Sequence, residues 1–185
     1  MSDELRKAVA HILKDIKVEL GDEFGRNFER QGFFSQKWQR RKSPLRGNGH
    51  ILLASGQLRK SIHSRITDQS ITFYSSLPYA GIHNEGGEIK VTPRMKRFFW
   101  RKYYEAQGSI GHKKNGSIRN NKRNRQLTTN AEYWRSLALM REGTTIKMPR
   151  RQFIGMSPEV EKSVRQIIEK ELAVYFSQDF LRSHP

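Results

Sequence analysis

The sequence predicts an α+β domain in which long N-terminal and C-terminal helices pack on a small antiparallel sheet, with a basic helical and loop insertion. Two observations carry this. Leu5, Val9, Ile12, Leu13, Ile16, Leu20, Phe24 and Phe28 recur every three or four positions, the stripe of an amphipathic helix, and a similar stripe follows Ser157. Between them, Ile62, Ser64 and Ile66 alternate with polar residues, as do Ile71, Phe73 and Ser75 beyond Asp68-Gln69. Two alternating runs around a short polar turn read as a β-hairpin with one buried face.

In chain order, the first helix runs from Ser2 to about Arg30, with Ser2 as its cap, Asp3 and Glu4 in an acidic first turn, and Gly32 as a stop. Gly21 and Gly25 invite a kink in its second half. Trp38 follows in a loop with Lys37, Arg40, Arg41, Lys42 and Arg46, punctuated by Ser43-Pro44 and Gly47-Asn48-Gly49. A lone Trp in such a loop reads as an anchor to the core before it reads as a base-stacking platform. Ile51 to Ile62 reads as a short helix or turn leading into the hairpin, which Leu77-Pro78-Tyr79-Ala80 ends. Gly143 to Met148 is a further short strand, stopped by Pro149. In the last helix Ser157 is the N-cap, Pro158 the first helical residue, and Glu159 and Glu161 face the positive end of the dipole. Val160, Val164, Ile167, Ile168, Leu172, Tyr175 and Phe176 make its apolar face.

The whole chain, 1–185, reads as one domain with 94–142 as the basic insertion. From Arg94 to Gln126 there are eleven Lys or Arg and a single acid, Glu105. Phe98, Phe99, Trp100, Tyr103 and Tyr104 mark a short helix. Gly108 through Arg125 has almost nothing to bury, which predicts a mobile excursion. Thr129-Asn130 then caps a second short helix over Tyr133, Trp134, Leu137 and Met140.

Composition narrows the function classes. With 35 Lys and Arg against 18 Asp and Glu, the net charge is +17. Such a field favours polyanions, either nucleic acid or an acidic protein surface. The absence of cysteine excludes disulfides and thiolate metal sites. No apolar run is long enough to span a bilayer and the N-terminus lacks a signal-peptide pattern, so a protein made in a cytoplasm without membrane contact is expected.

No active site assembles from the sequence. None of the six histidines pairs with another at helix-ligand spacing, and His83-Asn84-Glu85 lacks the further His or Asp cluster a nuclease metal site needs. Gly108-Ser109-Ile110-Gly111 lacks the Gly-Lys-Ser/Thr ending of a phosphate-binding loop. No catalytic residue, metal or cofactor is therefore expected. The cations Lys113, Lys114, Arg119, Lys122, Arg123 and Arg125 support two readings: a sequence-nonspecific grip on DNA phosphates, or an arm that docks on an acidic partner.

Three ordered blocks resemble the phage virion-morphogenesis family, which includes the tail-completion (protein S-like) proteins of Mu-like tailed phages. After Trp38 and its basic loop, Ile51 to Ile62, with Gly56, Leu58, Ser61 and Ile62, is similar to the family's "leucine, small, Ser/Thr-Gly, x-Leu, x-x-Ser-Ile" block. Tyr79-Ala80 with His83 and Gly86-Gly87 matches "Tyr-Ala-x-x-His-x-x-Gly". Pro149, Arg151, Phe153 and Gly155 match "Pro-x-Arg-x-Phe-x-Gly" just before the final helix. The resemblance covers about Trp38 to Gly87 and Ile146 onward, with Arg94–Gln126 between the blocks.

The residues in these blocks read as specifying the fold. Gly56 and Gly86-Gly87 allow turns, Tyr79 is a buried ring with a polar tip, and Phe153 plugs the core. The resemblance implies a minor, non-catalytic structural protein of the particle, acting in tail completion or head–tail joining. It further implies tail or neck proteins as partners, a homo-oligomeric ring around the DNA path, and a place in the virion after assembly in the bacterial cytoplasm. The alternative from the residues alone is a free-standing nucleic-acid-binding protein.

Overall fold

The computed structural model describes residues 3–41, 43–44 and 49–183. The capping role expected of Ser2 and the loop positions Lys42, Arg46, Gly47 and Asn48 lie outside the described residues. The architecture is α+β. It comprises helices α1 (Asp3–Arg30), α2 (Gln57–Lys60), α3 (Ala80–Glu85), α4 (Pro93–Gly108), α5 (Lys122–Ala138) and α6 (Pro158–Ser183). The strands are β1 (Gly32–Phe33), β2 (Gln36–Lys37), β3 (Ile62–Ile66), β4 (Ile71–Ser75), β5 (Gly87–Lys90) and β6 (Thr145–Met148). The strands pair as three two-stranded antiparallel ladders, β1–β2, β3–β4 and β5–β6. The chain divides into two compact units. One comprises Met1–Gln39, His50–Glu85 and Arg150–Pro185, the other Arg40–Gly49 and Gly86–Pro149.

In the first unit the apolar stripe of α1 becomes the core, with Ile12, Ile16, Leu20, Phe24 and Phe28 buried. Each such side chain withdrawn from water contributes about 1.5–3 kcal/mol. Ile12 to Phe24 pack with Phe33 and Val160, and with Ile62, Ile71 and Phe73 of the hairpin. The ring of Phe24 meets Phe73 edge-on at 5.1 Å. The hairpin pairs as its alternation predicts, with Ile62 opposite Ser75, Ser64 opposite Phe73 and Ile66 opposite Ile71.

Gly32 follows α1 and opens the β1–β2 turn. A Cβ there would stand 2.5 Å from the carbonyl oxygen of Gln36, so only glycine permits this approach. In α6, Ser157 Oγ accepts from the amide of Val160 as the expected cap. The inward stripe of α6 is narrower than the sequence suggests. Val160, Val164, Ile167 and Leu172 pack inward, whereas Ile168 and Phe176 are exposed. Phe176 lies well round the helix from Val160 at 3.6 residues per turn.

In the second unit α4 and α5 pair along an aromatic seam. Phe98 and Phe99 meet the ring of Trp134 at 5.8 and 5.9 Å. Thr92 caps α4 by accepting from Met95, with Pro93 in the first turn. The second helix starts earlier than Thr129-Asn130. Asn121 is its cap and accepts from the amide of Asn124 at 2.8 Å.

The stretch between α4 and α5 is a closed turn where composition suggested a mobile excursion. His112 bridges Ile118, Lys113 donates to Ser117 at 2.8 Å, and Arg119 donates to Gly111 at 3.0 Å. Buried Asn124 accepts from the Gly111 amide and donates to the carbonyls of Gly111 and Arg119. Backbone and amide hydrogen bonds take the place of apolar burial. Strand β5 carries no alternation of its own and exists by pairing with β6, Ile89 opposite Ile146.

Candidate functional site

The third motif block contains an irregular segment of the first unit that is held by hydrogen bonds from several other elements. Arg151 to Ile154 is neither helix nor strand, so its buried backbone must find partners elsewhere. The Arg151 amide donates to the carbonyl of His83 at 2.8 Å. The Gln152 carbonyl accepts from the indole Nε1 of Trp38 at 2.7 Å. The amides of Phe153 and Ile154 both donate to Asn84 Oδ1, at 2.9 and 3.1 Å. The Phe153 carbonyl accepts from Asn27 Nδ2 at 3.2 Å. Asn27 is itself 0 % exposed and its Oδ1 accepts from the Phe34 amide.

This lacing ties α1, the Trp38 segment and α3 to one short stretch of chain. Phe153, 0 % exposed, packs its ring on Phe28 at 5.2 Å, and Phe28 meets Trp38 at 5.6 Å. The guanidinium of Arg151 is buried and its Nε donates to the Gln39 carbonyl at 3.1 Å.

His83 gives its carbonyl to this network while its ring Nδ1 is buried without a hydrogen-bond partner among the described residues. Burial, and secondarily the positive charge of Arg151, hold its pKa below the ordinary value of 6.5. Desolvation disfavours the charged ring, and a neighbouring cation adds to that.

The other motif positions fall into place around this stretch. Leu58 is buried in α2, and Ser61 Oγ donates to its carbonyl at 2.7 Å. Ile62 begins β3, and Ala80 is buried at the start of α3. Gly56 holds φ of +69° with open space where a Cβ would be, so conformation and not crowding selects glycine. Gly86 and Gly87 have φ of 76° and 140°, Gly155 has 127°, and Pro149 follows the end of β6. Tyr79 departs from expectation: its side chain is 41 % exposed and leans edge-on over His83. Tyr79 lies in the turn just before α3, whose buried residue is Ala80, and this leaves its ring at the surface.

The cations form a different feature. Lys113, Lys114, Arg119, Lys122, Arg123 and Arg125 are all exposed in the second unit. Arg119 Nε donates to the His112 carbonyl and Arg125 to Asn120 Oδ1, while Lys113, Lys114, Lys122 and Arg123 form no ion pair among the described residues. The second unit holds 19 Lys and Arg against four Asp and Glu, a net of +15, while the first holds 16 against 14, a net of +2.

Asn27, Asn84, Gln31 and Gln152 are the polar residues that the motif reading passes over. Gln31 grips Ile51 like a strand partner, its amide donating to the Ile51 carbonyl at 3.1 Å and accepting from the Ile51 nitrogen. An amide inside an apolar stripe, as Asn27 is between Phe24 and Phe28, is the one local signal that could have marked them. His11, Asp15 and Glu171 bring ligand atoms within 4.8 Å of one another where α1 meets α6, and His11 Nδ1 lies 2.8 Å from Glu171 Oε2. The His-x-x-x-Asp spacing on one helix is visible in sequence, but the distant Glu is not. No helix among the described residues is long and apolar enough to cross a membrane.

The sequence model of the phage virion morphogenesis family matches residues 4–173. No curated protein and no solved structure matches the chain. The match runs through α1, the motif blocks, the α4–α5 pair and most of α6, so it takes in both units. The chain belongs to the phage virion morphogenesis family.

Proposed function

We propose that the protein is a non-catalytic structural component that completes the tail of a phage particle or joins it to the head. Membership of the family makes virion assembly its general role. The observation that carries the finer reading is the partition of charge, +15 in one unit and +2 in the other. A component at a junction must pack against neighbouring protein and also stand beside DNA, and these demands differ electrostatically. The near-neutral unit, with its laced Arg151–Ile154 segment, suits the first. The basic unit suits the second, and several copies closing into a ring would line the DNA path with it. The motif residues then serve to specify the fold, and the partners are other tail or neck proteins.

A phage with an early stop codon in this reading frame is expected to accumulate DNA-filled heads and separate tails in negative-stain micrographs. Supplying the protein in trans should restore joined particles. Joined, infectious particles in its absence would overturn the reading.

A further inference from the structure

Helix α4 has two aromatic faces, and only one is used in pairing with α5. Phe98 and Phe99 meet Trp134. On the side turned away from them, Lys96, Trp100 and Tyr104 stand at i, i+4 and i+8, with Arg97 and Arg101 in the adjoining row. Trp100 and Tyr104 stack on each other at 5.9 Å with their planes 25° apart, and Tyr103 abuts Trp100 at 5.6 Å. This ring cluster touches no aromatic side chain outside α4 among the described residues, and Tyr104 is 63 % exposed. Lys96 and Arg97 have no ion-pair partner among the described residues. Arg101 makes a 3.6 Å surface contact with Glu105, which water screens heavily, and its guanidinium lies 5.3 Å from the centre of the Phe98 ring.

We propose that this face binds single-stranded DNA, taking phosphates on Lys96 and Arg97 and stacking unpaired bases on the Trp100–Tyr104 pair. Charge alone would serve any polyanion. An acidic protein surface, however, offers carboxylates and no flat rings, and would leave the aromatic row unused. Bases supply a π-face at each nucleotide while the backbone supplies the charge, the combination that stacking platforms within a basic groove exploit. A duplex hides its base faces and would engage only the cations. The face would thus favour an unpaired or frayed end over an intact helix. This deepens the assembly reading and rests on it in taking the basic unit as the side turned to DNA.

The test uses the full-length protein and fluorescence anisotropy, with labelled twenty-residue oligothymidine, a duplex of equal length, and polyglutamate as the acidic-protein probe. Oligothymidine is expected to bind more tightly than the other two, with an affinity that falls as salt rises. Trp100→Ala with Tyr104→Ala should weaken oligothymidine binding about ten-fold or more and change duplex binding about two-fold at most. Lys96→Gln with Arg97→Gln should weaken both and flatten the salt dependence by about 1.4 units of slope for oligothymidine and about 1.8 for the duplex.

Should the aromatic double variant fail to fold, Arg97→Glu alone, at an exposed position, must still abolish most oligothymidine binding. Unchanged oligothymidine binding in the aromatic variant overturns the proposal, as does polyglutamate binding that depends on Trp100 and Tyr104. A phage that fails to join without the protein, paired with a purified protein that ignores oligothymidine, sinks this inference and leaves the assembly role standing.

Discussion

Asn84 and Phe153, 69 positions apart, are joined by a hydrogen bond from the Phe153 amide to Asn84 Oδ1 at 2.9 Å. The same oxygen accepts from Ile154 at 3.1 Å, and Asn27 takes the Phe153 carbonyl. Two side-chain amides thus do for an irregular stretch what a neighbouring strand would do for a regular one. The arrangement fixes where the core ring of Phe153 enters, because its backbone is held on both sides.

Removing the shared acceptor should therefore cost more than an average surface change. Asn84→Ala leaves two amides without a partner, and an orphaned buried donor costs about 1–3 kcal/mol. Asn84→Asp keeps the acceptor oxygen and should lose clearly less. Urea unfolding followed by a probe in the first unit measures both. Equal losses for Ala and Asp would show that the acceptor is not what matters.

Phe153 and Tyr79 both belong to the motif blocks, yet burial separates them. Phe153→Ala empties a fully enclosed ring site between Phe28 and the Trp38 segment, and is expected to destabilise by about 3–5 kcal/mol. Tyr79→Ala removes a ring that is 41 % exposed and should change stability by about 0.5 kcal/mol or less. Melting temperatures of the two variants check this order. A Tyr79→Ala loss as large as that of Phe153→Ala would contradict it.

His83 makes stability depend on pH. Its folded-state pKa lies below the ordinary 6.5, chiefly through burial and then through Arg151. Above that value the ring is neutral in both folded and unfolded chains, and the shift has no effect. As pH falls below it, the unfolded chain takes up the proton first, so stability declines until the folded-state pKa is passed. His83→Gln should flatten the stability profile on the acid side of neutrality. A profile of unchanged slope in that variant would assign the acid sensitivity to other groups.

Much of this was legible in the sequence, and the reasons differ by element. The β3–β4 hairpin and the stripe of α1 declare themselves because burial follows the local period along most of each element, although Ile66 at the end of β3 is exposed. Ser157 and Pro158 announce α6 because capping is local chemistry. Strand β5 is silent because Gly87-Glu88-Ile89-Lys90 has one apolar residue and owes its form to β6. The lacing of Arg151–Ile154 is invisible for a related reason: Asn27, Trp38 and Asn84 find it across up to 126 positions, and spacing carries no trace of such pairings. Composition misjudged the turn after α4 because it counts apolar burial and not hydrogen bonds to one buried amide.

That amide supports the last prediction. Asn124 Nδ2 donates to the carbonyls of Gly111 and Arg119, each at 2.7 Å, and Oδ1 accepts from the Gly111 amide at 3.1 Å. Asn124→Ala deletes all three bonds, and Asn124→Asp deletes the two donated ones while turning a carboxylate toward two carbonyl oxygens. Asp should therefore be at least as harmful as Ala, the reverse of the order expected at Asn84. The damage should be local, since the Phe98, Phe99 and Trp134 seam does not depend on the turn. Hydrogen exchange at the Gly111 and Arg119 amides should quicken by about ten-fold or more, corresponding to a loss on the order of 1.4 kcal/mol or more in local opening. Amides in α1 and α6 should keep their protection. Because Lys113 and Lys114 ride on this turn, loosening it should also blunt whatever polyanion contact they make. Undiminished protection at Gly111 in Asn124→Ala would show that the backbone bonds from Lys113 to Ser117 and from Arg119 to Gly111 hold the turn without it.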